Sequence, residues 1–226
     1  MAVFVDAMYA SFPSGIRVPD PLVQFFQWIE DNGLYRNFDG EGYQHAIIDP
    51  AAEDSCIGIV PVDPDHARQW LDKRDPYAHL RLAPFCRTGG EGSYAALWLD
   101  NAGAVQIVHM GSGSGSVLIG IMVDDPVNFL RLLAIGYNEL CWGEVHGLTP
   151  EQVVEAEHPD IADYDEEELE YVQRPVPPIA LQQWVSNTFG VSIPATASEI
   201  MPVLPSMDAD HSDDPFWAWV RSLHIS

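Results

Sequence analysis

Four apolar runs along the chain begin in the same way, with an Asp-Pro pair followed by hydrophobic positions at helical spacing. The pairs are Asp20-Pro21, Asp63-Pro64, Asp125-Pro126 and Asp214-Pro215. An aspartate carboxylate can accept hydrogen bonds from the free N–H groups of a first helical turn. Proline suits the first helical position because its missing N–H needs no partner there. The pattern predicts four helices, each capped by its aspartate.

Glycines predict where these helices end. Gly33 and Gly136 follow the first and third runs, where a left-handed C-terminal cap belongs. Two of the runs carry apolar stripes, formed by Leu22, Phe25, Phe26 and Ile29 and by Phe129, Leu130, Leu133 and Ala134. A fifth helix is predicted over residues 178–189, with Gly190 as its stop.

Short apolar runs between the helices predict β-strands. They cover residues 43–48, 57–60, 93–99, 105–110 and 117–123. The turn residues 100–103 join two of them as a hairpin, and residues 111–116 (GSGSGS) lead to the next. Helices and strands are segregated along the chain and do not alternate, so the predicted fold class is α+β with a mostly antiparallel sheet and flanking helices.

The composition changes near residue 143, which predicts two regions. Residues 1–142 form the predicted α+β domain, and residues 143–226 form an acidic, largely helical region packed on it. No lysine or arginine lies between Arg131 and Arg174. The second region holds five large aromatic side chains that need burial, namely Trp184, Phe189, Phe216, Trp217 and Trp219. Packing on the first domain would bury them.

The net charge limits the classes of partner that this protein could bind. The 226 residues include 34 acids and 10 lysines and arginines, for a formal charge of −24. Direct nucleic-acid binding needs a basic footprint, and docking on anionic lipid needs clustered basic residues, so the charge argues against both. It favours a basic protein partner, a cation, or solubility alone. The sequence leaves the oligomeric state open.

The N-terminal segment and the cysteines are typical of a cytoplasmic protein. Residues 1–15 lack a basic n-region, and Asp6 interrupts their apolar run, so they make a poor signal peptide. The longest apolar runs are too short to span a bilayer. Cys56, Cys86 and Cys141 form no CxxC pair, and this sparse, odd count favours reduced thiols, although one disulfide stays possible.

Sites for phosphate, metal or nucleophilic chemistry have little support. Residues 111–116 resemble a phosphate loop, but a strand-like run follows them and no GK[ST] is present, which favours a hairpin connection. Cys86 and His109 could meet, but no established catalytic motif contains them. Two groups of acids and histidines lack metal-site spacing: His158, Asp160 and Asp163, and Asp208, Asp210, His211, Asp213 and Asp214. No cofactor, metal or enzyme activity is predicted, and an enzyme with a dispersed site remains an alternative.

The acidic segment is the clearest candidate site. Residues 151–170 hold ten acids and no base, with apolar side chains between them. Aromatic anchors beside charge suit a protein interface, whereas a solvated helix face is the simpler alternative. The candidate partner-binding residues are Glu155, Glu157, Asp160, Asp163, Tyr164, Asp165, Glu166, Glu167, Glu168, Glu170 and Tyr171. Closely spaced carboxylates also resemble a phosphate backbone in charge density, so they would attract a protein that binds nucleic acid.

Three motifs in the first domain resemble the SUKH superfamily of bacterial immunity and interaction proteins. They are VPDPLVQFFQWIEDNG at 18–33, SYAALWLDNAGAVQIVHMGSGSGSVLIG at 93–120, and DDPVNFLRLLAIGYNEL at 124–140. The resemblance spans residues 15–141 and has no counterpart from 143 onward.

The resemblance implies an α+β domain without catalytic residues that neutralises a toxin of the same cell, often a nuclease delivered by contact-dependent or type VI secretion. An acidic inhibitor would suit a basic nuclease, and its acids would compete for the basic cleft that holds the nuclease's substrate phosphates. The family cleft would use the sheet face near Trp98 and the turn at 111–115, which stands as an alternative surface to the acidic segment. A regulatory scaffold that binds no toxin is an alternative function for the same fold.

Overall fold

The computed structural model describes residues 4–38, 43–49, 51–52, 55–71 and 76–224. The α-helices in this part of the chain are α1 (Phe4–Ser11), α2 (Asp20–Asp31), α3 (Pro64–Trp70), α4 (Pro126–Ile135), α5 (Pro150–Glu157), α6 (Glu166–Glu170), α7 (Ile179–Phe189) and α8 (Pro215–His224). The strands are β1 (Tyr35–Phe38), β2 (Tyr43–Ile47), β3 (Gly58–Ile59), β4 (Leu82–Arg87), β5 (Tyr94–Leu99), β6 (Val105–Met110) and β7 (Ile119–Val123). Among the described helices, none has the length and apolar content needed to cross a membrane.

The seven strands form one antiparallel meander in chain order, β1 to β7, with helices on its faces. This confirms the predicted α+β class. The hairpin at residues 100–103 is also confirmed, with Tyr94 opposite Met110 and Leu99 opposite Val105. Asp100 holds the turn, because its carboxylate accepts from the N–H groups of Ala102 and Ala104.

Strands β1 and β4 and helices α1 and α6 were absent from the sequence prediction. Strand β4 contains Pro84, and a proline argues against a central strand because it cannot donate to the ladder. The structure accommodates Pro84 at a register shift between Pro84 and Cys86, the kind of irregularity where proline is tolerated. Strand β1 and helix α1 are short, with too few residues to show a clear period.

Three of the four predicted aspartate caps are confirmed. Asp63, Asp125 and Asp214 accept from the N–H groups of Asp65, Val127 and Trp217, respectively, each at 2.8 Å. The prediction for Asp20 is wrong. Pro19 holds the cap position of α2, so Asp20 already lies in the first turn and its side chain makes no cap hydrogen bond. It pairs instead with the exposed guanidinium of Arg17 at 3.7 Å.

Strands β4 to β6 carry apolar side chains on both faces of the sheet, and both faces are covered there. Alternate residues of β4 to β6, including Ala83, Phe85, Leu97 and Ile107, join a large core with α1, α2, α4 and α7. The intervening residues Leu82, Ala96, Trp98 and Val108 join a second core with α3 and α8. The two-residue period of a strand produces this division. A sheet buried on both faces needs a helical layer on each side.

Residues after 143 contribute to both of these cores. Leu181 and Val185 of α7 are fully buried against the first face, and Trp184 stacks on Trp28 with ring centroids 5.3 Å apart. On the second face Phe216 is fully buried, and its ring lies 5.3 Å from that of Trp98. Helices α4 and α7 also pack tightly where α4 ends. A Cβ atom added at Gly136 would lie only 2.8 Å from Pro178 Cδ, so no side chain fits there.

The C-terminal region also closes the outer edge of the sheet. The Ile119 N–H donates to Pro205 O at 3.0 Å, and the Met207 N–H donates to Val117 O at 2.7 Å. Further along β7, the Ile121 N–H donates to Asp214 Oδ2 at 2.8 Å. An uncovered edge would present free N–H and C=O groups for pairing with other chains. Asp214 therefore caps α8 with one oxygen and closes the β7 edge with the other.

We predict that Asp214→Ala lowers the free energy of unfolding by about 2 to 4 kcal/mol, because it removes a helix cap and leaves a strand N–H without an acceptor. Urea unfolding followed by circular dichroism measures the loss. Asp213→Ala is the matched control, since the neighbouring Asp213 is exposed and its one ion contact with a described residue is at 3.7 Å from His211. Equal losses in the two variants would contradict this role for Asp214.

Candidate functional site

The acidic segment runs over the surface as short helical pieces between two buried anchors. Helix α5 is anchored by the buried Val154, and α7 by Leu181. Between them lie a 3-10 helix (Ile161–Asp163) and α6. A capping box holds α6, because Asp165 and Glu168 each accept from the backbone N–H of the other at 2.9 Å. The segment therefore has a defined backbone path.

The nine predicted acids of this segment all have exposed side chains. We call them the acidic ridge: Glu155, Glu157, Asp160, Asp163, Asp165, Glu166, Glu167, Glu168 and Glu170. Within the described part of the chain, none of the nine forms an ion pair. The ridge thus presents unneutralised carboxylates to solvent, which is the arrangement that attracts a basic surface.

The two predicted aromatic anchors differ in exposure. Tyr171 is 78% exposed and directly follows α6. Tyr164 is half-buried, because its ring packs edge-on against His158 with centroids 5.8 Å apart, and its hydroxyl lies 3.3 Å from His158 Nδ1. Leu169 adds an apolar surface that is 38% exposed. Tyr171 and Leu169 can therefore be buried by a partner, whereas Tyr164 mainly supports the ridge.

A cleft opens at the base of the acidic ridge, and we call it the ridge cleft. Its volume is about 200 Å³, and its lining includes Glu139, Trp142, Val153, Glu157, Tyr171 and Gln173. Asn138 Nδ2 donates to Gln173 O at 3.1 Å and ties the outer wall to the end of α4. Glu139 and Trp142 were not among the predicted site residues, because both lie outside the acidic segment at residues 151–170.

The structure corrects the expectation for Trp98. This residue is only 2% exposed, because Phe216 and Trp219 of α8 cover it, with ring centroids 5.3 and 5.5 Å away. The sheet face near Trp98 is therefore the floor of a core and cannot contact a partner. The resemblance implied an open face because it covers only residues 15–141 and therefore leaves out helix α8.

The glycine-serine loop at residues 111–116 is a hairpin connection, as predicted, and its donors are already engaged. The Gly113 N–H donates to Ser116 O at 2.9 Å across the turn. Glu91 Oε1 accepts from the Ser116 N–H at 3.2 Å, and Glu91 Oε2 accepts from the Ser93 N–H at 2.9 Å. Burial would raise the pKa of Glu91, but hydrogen bonds from the Ser93 hydroxyl and from the Ser93 and Ser116 N–H groups outweigh this effect and lower that pKa.

Cys86 and His109, the pair considered for nucleophilic chemistry, have separate partners. Cys86 Sγ donates to Arg87 O at 3.2 Å, and burial raises the pKa of its thiol, which disfavours the reactive thiolate. The fully buried His109 lies 3.1 Å from Thr88 Oγ1 through Nε2 and 2.9 Å from Leu118 O through Nδ1. Burial lowers the pKa of His109 to about 4. These contacts are those of a satisfied core histidine.

The described residues do not gather the candidate metal ligands into a metal site. In the described ranges, no group of three or more histidine, cysteine, aspartate or glutamate side chains is placed to hold a metal ion. Asp214 is used as a helix cap, and His158 faces Tyr164. Cys56, Cys86 and Cys141 are free thiols.

Comparisons with protein-family models, with curated proteins and with solved structures found no match to this chain.

We predict that His109 makes the protein less stable in mild acid. Its folded pKa of about 4 lies below its ordinary value of 6.5. Between these values the unfolded chain binds a proton that the folded chain does not, so stability falls as the pH falls. His109→Gln should flatten the pH dependence between about pH 6.5 and 4, by up to about 1.4 kcal/mol per pH unit.

Urea unfolding at several pH values across this window measures the slope. His211→Gln, which changes an exposed histidine, serves as the control. A slope that is the same in wild type and His109→Gln would contradict the prediction.

Proposed function

We propose that this protein is a non-catalytic binding protein that neutralises a basic toxin, as an immunity protein of the SUKH kind, by covering the toxin's cleft with the acidic ridge. The observation that carries the proposal is the ridge itself. Nine carboxylates are exposed without an ion pair among the described residues, beside an aromatic side chain that is 78% exposed. Charge of one sign speeds encounter with a partner of opposite sign, and the aromatic surface adds burial after contact.

The charge spacing of the ridge supports a nuclease as the toxin. Helix α6 has the sequence EEELE, with four carboxylates in five residues. At a rise of about 1.5 Å per residue, this is about one charge per 2 Å of helix axis. Double-stranded DNA carries about one charge per 1.7 Å. A cleft that binds a phosphate backbone would therefore attract α6, and occupation by α6 would exclude the substrate.

The fixed path of the segment supports binding as a preformed surface. The capping box of α6 and the buried anchors at Val154 and Leu181 hold the ridge between α5 and α7 before a partner arrives. A segment that is already ordered loses less conformational entropy on binding. The same surface could serve a scaffold that binds a basic protein without inhibiting it, and an activity assay separates that alternative from neutralisation.

We predict that reversing four ridge charges, with Asp163, Glu166, Glu167 and Glu170 changed to lysine, weakens partner binding by about a hundredfold or more. The melting temperature should change little, because these side chains are exposed and the Asp165–Glu168 capping box is kept. Affinity purification from the source cell with wild type and variant in parallel identifies the partner. Titration calorimetry of the purified pair at two salt concentrations then measures the affinity.

The matched control changes Asp6, Asp31, Asp208 and Asp210 to lysine, which alters net charge equally at exposed sites away from the ridge. It should retain most of the affinity. Wild-type protein should also inhibit the partner's enzymatic activity in stoichiometric amounts. Equal affinity for wild type and ridge variant, or tight binding that is insensitive to salt, would refute the proposal, and binding without inhibition would favour the scaffold.

A further inference from the structure

We infer that the ridge cleft receives one arginine side chain of the basic partner. The inference rests on the proposed function, since it names the group that the acidic surface recognises. Glu157 belongs to the acidic ridge and Tyr171 is its exposed aromatic anchor. Both side chains also line the cleft. A side chain that entered it would therefore sit at the centre of the proposed contact.

The size of the cleft fits a single side chain better than a cofactor. Sites for drug-sized ligands and cofactors usually have volumes of about 300 to 1,000 Å³. The ridge cleft has about 200 Å³ and is open to solvent on one side. Such a volume can accept the end of one long side chain, which enters from the partner's surface and keeps its backbone outside.

The charge of the lining selects a cation. Glu139 and Glu157 belong to the lining, and the described residues that form it include no lysine or arginine. Glu139 is fixed in position, because its carboxylate accepts from the Gly90 N–H at 2.7 Å and from Trp142 Nε1 at 2.5 Å. Glu157 is exposed and has no ion pair within the described residues, so its carboxylate can accept hydrogen bonds from a guanidinium group.

The aromatic walls favour arginine over lysine. Trp142 and Tyr171 both belong to the lining. A planar guanidinium can stack on an aromatic ring while it forms paired hydrogen bonds with a carboxylate, which an ammonium group cannot do. The described residues include two contacts of an arginine with a tryptophan ring, Arg81 over Trp219 and Arg221 over Trp217, each 5.4 Å from the ring centroid.

Internal contacts hold the floor and outer wall of the cleft before any ligand binds. The hydroxyl of Tyr137 donates to Leu148 O at 2.5 Å and accepts from the Ala197 N–H at 3.0 Å. On the outer side, the hydrogen bond from Asn138 holds the backbone at Gln173. A site whose walls are already ordered binds a small group with less entropic loss.

Three short peptides test the inference directly, without the partner. They are acetyl-Gly-Arg-Gly-amide, its lysine analogue, and its citrulline analogue, in which a neutral urea replaces the guanidinium. Each is titrated into the full chain while the indole N–H signal of Trp142 is followed by NMR, assigned with Trp142→Phe. We expect saturable shifts with the arginine peptide, and binding weaker by about tenfold or more with citrulline. The lysine peptide should bind more weakly than the arginine peptide and more tightly than the citrulline peptide.

Variants then locate the binding. Glu157→Gln and Tyr171→Ala change exposed side chains, so both proteins should fold, and the double variant should lose the arginine-dependent shift. Glu167→Gln is the matched control, because it removes one ridge charge outside the cleft lining. Equal binding of the citrulline peptide, or an unchanged shift in the double variant, would overturn the inference.

Affinity measurements with the partner distinguish the arginine site from the proposed function on which it rests. If the double variant keeps full affinity for the partner while the charge-reversed ridge variant loses it, the arginine site is refuted and the proposed function stands. If neither variant loses affinity, the proposed function fails. A partner affinity that falls about tenfold or more in the double variant, and not in Glu167→Gln, supports both.

Discussion

The requirement to cover both faces of the sheet governs the rest of the structure. Strands β4 to β6 carry apolar side chains on both sides, with Phe85 and Leu97 toward one core and Trp98 and Val108 toward the other. Burial of this area is the main favourable contribution to folding. Helices α2 and α4 cover part of one face, but α7 and α8 are needed to complete the two layers, so the C-terminal region is part of the folding unit.

This constraint also explains how a strongly charged segment can be ordered. The ridge connects α5 to α7, and both helices are anchored by buried aliphatic side chains such as Val154 and Val185. Water and salt weaken the repulsion among the nine exposed carboxylates. Packing of the buried side chains at the two ends of the segment outweighs the repulsion that remains. The charge thus contributes nothing to the core, and the ridge is positioned by uncharged anchors at its two ends together with the Asp165–Glu168 capping box of α6.

The sequence predicted those parts of the fold that depend on neighbouring residues. Aspartate caps, glycine stops and the Asp100 hairpin require contacts only a few positions apart, and most were predicted correctly. Asp20 failed because Pro19 sets the start of α2 one residue earlier. Strand β4 was missed because Pro84 forbids a regular central strand and only the shifted register permits it. Glu91, Glu139 and the burial of Trp98 depend on contacts between distant segments, which no local pattern reveals.

The choice between the two surfaces that the sequence left open follows from the same packing. Helix α8 covers the sheet face at Trp98, so that face is closed to a partner. In the glycine-serine loop the Ser116 N–H donates to Glu91 and the Gly113 N–H donates to Ser116 O, so these two donors are not free to bind an anion. The groove beside the loop has Arg221 in its lining, and a positive charge there opposes a basic partner. The acidic ridge combines exposed carboxylates, exposed apolar surface and an adjoining cleft. It is therefore the surface on which the proposed binding is physically most favourable.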